Sequence, residues 1–135
     1  MANSLTNYSE NLILNSIFGG VTLIPPATLY FGLSTTTILD DGTGITEPVG
    51  NGYARVGITN NTSLFATTTT STKTNKIEVA YPSATGNWGT VTDFFISDSA
   101  TGGNIIIYGT LNVAKTITSG DILSFAANNL TITLD

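Results

Sequence analysis

The sequence predicts an all-β fold: an antiparallel β-sandwich, jelly-roll-like, of eight or nine strands with a short N-terminal α-helix. Three observations predict it. Threonine is about a fifth of the chain and sits among Ile, Leu, Val, Tyr and Phe, and such β-branched and aromatic side chains suit a pleated strand better than a helix. After Pro25-Pro26, short apolar runs alternate with turn residues at the spacing of a sandwich. Only before Gly19 does the apolar period lengthen to three or four residues.

Residues 1–20 read as an amphipathic helix or docking arm, and residues 21–135 as the β-sandwich domain. Leu5, Tyr8, Leu12, Ile13 and Ile17 advance by three or four and share one helical face; Asn3 or Ser4 can cap its start, and Gly19-Gly20 can end it. Left uncovered, that face would be an association-prone patch on a chain otherwise dressed in Thr and Asn. Leu5, Leu12, Ile13, Ile17 and Phe18 are therefore the candidate contacts with sister copies or another partner. The alternative is a helix that closes one end of the sandwich.

Strands are expected at Thr28–Ser34, Tyr53–Thr59, Leu64–Thr69, Lys76–Tyr81, Val91–Ser97, Asn104–Leu111, Ala114–Thr118, Ile122–Ala126 and Leu130–Asp135. In the last, Leu130, Ile132 and Leu134 point one way while Thr131 and Thr133 point the other. Asp41-Gly42, Gly50-Asn51-Gly52, Gly86-Asn87, Gly102-Gly103-Asn104 and Ser119-Gly120-Asp121 mark turns. Leu39–Asn51 reads as a loop. The threonine run Thr67–Asn75 reads as a strand entering a solvated hairpin tip.

The chain's 135 residues suit one domain, which can bury roughly two-thirds of its unfolded surface without disulfides or metals. Cysteine and histidine are both absent. The net charge of −5 and the scattering of Arg55, Lys73, Lys76 and Lys115 argue against gripping nucleic acid through its phosphates. No apolar stretch approaches the ~20 residues of a membrane span, and the N-terminus lacks the basic and apolar regions of a secretory signal, so no membrane contact is expected.

Without His or Cys the usual nucleophile–base pairs cannot be built. The carboxylates Glu47, Glu78, Asp93, Asp98 and Asp121 could in principle form a glycosidase pair, but turns and outward strand positions account for them. Asp40-Asp41-Gly42-Thr43-Gly44 lacks the ligand spacing of a calcium loop, and no glycine cluster has a phosphate-binding pattern. The expectation is a non-enzyme with no catalytic residue, cofactor or metal. Trp88, Tyr53 and Arg55 are the expected structural anchors: Trp88 as a core residue whose N–H finds a backbone partner, rather than a sugar-stacking platform, and Arg55 paired with one carboxylate.

Pro82-Ser83-Ala84-Thr85, Trp88-Gly89, Ile96-Ser97-Asp98, Ala100-Thr101-Gly102-Gly103-Asn104, Tyr108-Gly109-Thr110-Leu111, Lys115 and Gly120-Asp121 follow one another in an order that, with Gly52-Tyr53-Ala54-Arg55 and the N-terminal helix, resembles a family of small tailed-phage virion proteins. That family includes tail-fibre-like proteins and capsid decoration, or cement, proteins. The resemblance implies a virion structural role and carries over no catalytic or ligand residue. Small size, few charges and no reactive groups suit capsid decoration on the outer capsid surface. The expected partners are then sister copies in a homotrimer and the major capsid protein, after synthesis in the host cytoplasm. The rival expectation is a tail-fibre or host-receptor-binding module, whose partners are tail or fibre proteins and a host surface glycan.

Overall fold

Nine strands and one helix make up the computed structural model, which describes residues 2–134. Met1 lies outside the described residues, as does Asp135, the end of the expected last strand. In order the elements are β1 (Ala2–Leu5), α1 (Asn7–Gly19), β2 (Thr28–Ser34), β3 (Val56–Thr59), β4 (Thr72–Thr74), β5 (Val79–Ala80), β6 (Gly89–Ser97), β7 (Ile105–Ile117), β8 (Ser124–Phe125) and β9 (Thr131–Thr133). The main sheet has five strands in the order β1-β7-β6-β2-β3, each neighbouring pair antiparallel. Two ribbons, β4-β9 and β5-β8, form the other layer of this all-β sandwich.

Alternation builds the core between the layers. Leu29, Phe31 and Leu33 of β2, Phe94 and Ile96 of β6, and Ile107 of β7 form one buried cluster with Leu64, Val79, Tyr81, Trp88, Phe125 and Leu130. Each such side chain contributes about 1.5–3 kcal/mol by leaving water. A register shift in β6 between Val91 and Asp93 keeps both Val91 and Phe94 on the core side.

The opposite face of the main sheet is also covered. Phe95 points away from the core cluster yet is fully buried, its ring lying on Gly32, the residue it pairs with across β2 and β6. A Cβ on Gly32 would sit 2.1 Å from that ring. Gly32→Ala is therefore expected to destabilise the protein by about 1–3 kcal/mol through overpacking. Thermal denaturation checks it, and an unchanged Tm would refute the close approach.

Several sequence expectations are corrected. The helix starts later than Asn3 or Ser4: Thr6 caps it, accepting from Ser9 N at 3.5 Å, and Ala2–Leu5 pair as a strand with Ile107–Thr110. Leu5 thus belongs to β1, and its place in the helical period is a coincidence of spacing. The far end behaves as expected, with left-handed Gly20 and Val21 N donating to Asn15 O at 3.1 Å. Leu64–Thr69 forms no strand, because Phe65 makes only an isolated bridge to Asn75. The threonine run, by contrast, yields β4, paired with β9 from Thr72↔Thr133 to Thr74↔Thr131. Asn104–Leu111 and Ala114–Thr118 are one strand, β7, carried through an irregular pairing with β6.

Asn75, which periodicity gave no reason to single out, holds the ribbon layer together. Fully buried, it donates from Nδ2 to Ile77 O at 2.9 Å and Ala126 O at 3.0 Å, and accepts from Leu130 N at 2.9 Å. Asn3 Nδ2 also donates to Thr131 O, which ties β1 to β9.

Candidate functional site

Strand directions give the sandwich two unlike ends. β2 and β7 start, and β1 and β6 finish, at the end that carries α1; β6 starts, and β2 and β7 finish, at the end that carries Trp88. Glu10 is the only charged side chain before Asp40 in sequence, and folding brings Asp40, whose carbonyl accepts from Asn7 N at 2.9 Å, and Asp98 to the α1 end.

Helix α1 is packed inside out. Its one buried residue is Ser9, whose hydroxyl donates to Ile106 O at 2.7 Å, and Ser16 on the same face is half-buried. Small side chains let the helix backbone settle on β7. Most of the large apolar ones point elsewhere: Leu12, Leu14, Ile17 and Phe18 are exposed, Phe18 by 81%, while Ile13, about 40° around the axis from Ser9, and Leu5 in β1 are half-buried. Val21, Leu23 and Ile24 extend the apolar surface beyond the helix, with Ile24 80% exposed. Between α1 and residues 23–28 runs an open groove of about 590 Å³, lined in part by Leu5, Tyr8, Leu12, Ile13, Leu23 and Ile24. Of the five candidate contact residues, Leu5, Leu12 and Ile13 line this groove and Ile17 and Phe18 do not. Val21, Leu23 and Ile24 were missed in the sequence reading; four apolar or threonine positions in a row before Pro25 were the available signal.

At the other end Trp88 is 4% exposed and donates from Nε1 to Asn51 O at 2.8 Å. Tyr53 meets it edge-on, with ring centroids 5.3 Å apart at 85°. The turns there brace one another: Thr85 N donates to Asn51 O at 2.9 Å, Asn51 Nδ2 to Asn87 O at 2.9 Å, and Ala84 N to Asp121 O at 2.9 Å.

Arg55 lies along the covered outer face, its guanidinium 4.8 Å from the centre of the Phe95 ring. Its fork grips Glu47, Nε to Oε1 at 2.9 Å and Nη2 to Oε2 at 2.7 Å, while Nη1 donates to Ser99 O at 2.8 Å and Gly102 O at 2.9 Å. The Tyr53 hydroxyl adds a bond to Glu47 Oε1 at 2.7 Å and accepts from Leu33 N at 3.0 Å. Glu47, in sequence only a loop carboxylate, is thus the partner of both anchors.

Several other carboxylates also hold backbone or neighbouring side chains. Asp98 accepts from Asn104 N and Nδ2 at 2.8 and 2.9 Å, and Asp121 from Thr118 N at 2.8 Å. Asp93, buried, takes long bonds from Ile38 N at 3.5 Å and the Thr110 hydroxyl at 3.4 Å. Asp41 accepts from the Thr43 hydroxyl at 2.6 Å and Thr43 N at 3.0 Å, and these bonds hold its pKa below the usual carboxylate value. Among the described residues no group of three or more acidic side chains is placed to hold a metal ion, and no helix is long and apolar enough to cross a membrane.

Two buried phenols set an alkaline limit. Burial pushes the pKa of Tyr53 well above 10, with the Glu47 carboxylate adding to the rise, and burial does the same to Tyr81. The unfolded chain releases these protons near pH 10 while the folded chain retains them. Their contribution is therefore complete below about pH 10 and is lost as pH climbs above it. Melting temperature should fall above about pH 10 in step with tyrosinate absorbance. Titration of both phenols at their ordinary pKa in the intact fold would refute this.

No curated protein matches this chain. A family model does: that of the podophage GP4 fiber I protein gp80 matches residues 4–133, so it takes in the end of β1, the whole helix, both ribbons and both ends of the sandwich. With nearly the whole described chain inside that match, this protein belongs to the podophage GP4 fiber I protein gp80 family and is a tailed-phage virion component of the tail-fibre type.

Proposed function

We propose that the protein is a non-catalytic building block of the phage tail fibre, joined to the assembly through its apolar α1 end. The observation that carries this reading is the family match over residues 4–133. It favours the tail-fibre expectation over capsid decoration, for which no comparable observation speaks. The unlike ends of the molecule support a fibre role: an end rich in exposed apolar side chains suits burial in an assembly, and a polar end of cross-braced turns suits exposure. On this reading the partners are sister copies, in a homotrimer, and other tail or fibre proteins. A host surface glycan is the candidate ligand of the polar end, and nucleic acid and membrane are not partners. That Glu47, Asp98 and Asp121 already serve structural bonds supports a role without catalysis.

Labelling purified virions with an antibody to this chain, and measuring its copy number against the major capsid protein, tests the reading. Label confined to the tail with a copy number far below that of the capsid protein is the expected result. Label spread over the capsid at near-stoichiometric levels would overturn it and restore capsid decoration.

A further inference from the structure

Asn51 is the only asparagine in the chain that is followed by glycine. Glycine has no side chain to shield its backbone nitrogen, so Gly52 N can attack the Asn51 side-chain amide with little hindrance once the backbone allows it. Both residues are exposed, and water reaches them. By sequence alone this dipeptide is marked for ready loss of ammonia.

The fold denies the attack its geometry. Asn51 and Gly52 are the central pair of a type I′ turn, with φ of 51° and 80° and Tyr53 N donating to Gly50 O at 3.0 Å. Such a turn sets ψ of its first central residue to about +30°, which carries Gly52 N to the far side of Asn51 from its Cβ. Closing a five-membered ring needs ψ near about −120°, the value of a type II′ turn. That rotation is opposed because the Asn51 carbonyl and Gly52 N belong to one rigid peptide group. The carbonyl accepts from Trp88 Nε1 at 2.8 Å and from Thr85 N at 2.9 Å, and both bonds break if the group swings. The side chain is held as well. Its Nδ2 donates to Asn87 O at 2.9 Å, and its Oδ1 lies so close over Gly86 that a Cβ there would sit 2.6 Å from it.

We propose that Asn51 is a latent deamidation site, kept unreactive by the turn that holds Trp88 and opened whenever that turn lets go. In the reaction Gly52 N forms a bond to Asn51 Cγ and gives up its proton, the Cγ–Nδ2 bond breaks, and Nδ2 leaves as ammonia with that proton. Water then opens the cyclic imide at either carbonyl, leaving aspartate or isoaspartate and one more negative charge. Either product has lost the Nδ2 donor to Asn87 O. In isoaspartate the chain runs through Cβ and Cγ, so the turn gains an atom and the carbonyl that served Trp88 and Thr85 becomes a free carboxylate. The modification therefore records that the Trp88 end has opened, and it hinders that end from closing again in its original form.

The test is to incubate the purified full chain in mildly alkaline buffer, with and without urea, and to follow Asn51 by peptide mapping and mass spectrometry. Without urea the reaction should be slower by about tenfold or more, because it must wait for local opening. Trp88→Phe removes one of the two donors to the Asn51 carbonyl. It should react several-fold faster than the wild type without urea and at the wild-type rate in urea. Gly32→Ala, which strains the outer face of the main sheet and touches none of these bonds, should keep the wild-type rate without urea. A native chain that reacts as fast as the unfolded one, or a Trp88→Phe chain no faster than Gly32→Ala, would overturn the proposal.

Discussion

Trp88→Ala should lower the unfolding free energy by about 3–5 kcal/mol, which for a domain of this size is a fall in Tm of roughly 10–20 °C. Three losses combine. The indole is nearly fully buried, so truncation leaves a cavity that the braced turns around it cannot collapse to fill. Tyr53 loses its edge-on partner. Asn51 O loses the Nε1 donor and keeps only Thr85 N. Trp88→Phe, which keeps most of the packing and removes the donor, should cost less, about 1–3 kcal/mol. Thermal or urea denaturation separates the two variants. If Trp88→Ala melted like the wild type, the indole would not be the packing unit described here, and a sugar-binding role would gain ground.

Arg55→Ala is the second large effect expected, at about 3 kcal/mol. Removing one partner of a buried ion pair costs about 3–5 kcal/mol because the other charge is stranded; the low end applies here because Glu47 is 27% exposed and water can reach part of it. The guanidinium also ties together three distant stretches, the loop at Glu47, the turn at Ser99–Gly102 and the ring of Phe95, so its loss should loosen all of them. Arg55→Lys should recover little, since an ammonium cannot make the two-pronged bond to Glu47 while reaching both carbonyls. Hydrogen exchange should rise at residues 40–50 and 98–104 in either variant. Full stability in Arg55→Ala would show that the clasp contributes nothing net.

Local pattern made some of this legible. β2 occupies Thr28–Ser34, as alternation places it, because Leu29, Phe31 and Leu33 face a core that every residue of the strand can register by itself. A helix before Gly19 was legible for the same reason. Which side of it meets the body was not, since a three-to-four period reveals a face and not what covers it, and here Ser9 and Ser16, with Ile13 between them, take the inner side. β1 was invisible because Ala2-Asn3-Ser4-Leu5 has little strand preference and pairs only because β7 offers an edge. At the anchors, Trp88's burial was legible from its size in a β-domain. Glu47 as the partner of Arg55 was not, because the meeting depends on a loop folding back over the outer face of the sheet.

The pairing of β1 with β7 has a consequence for how the protein is made. Leu5 meets Ile107 and Thr6 bonds to carbonyls about a hundred residues later, so β1 leaves the ribosome long before the neighbour it pairs with. Until β7 has been made, β1 has no sheet to join, and the apolar helix that follows is bare. Such long-range closure is slow, on the order of milliseconds to seconds for β-rich domains, and it leaves a nascent chain open to wrong contacts. Folding order thus works as a timer: the α1 end takes its finished form only once β7 has emerged to pair with β1.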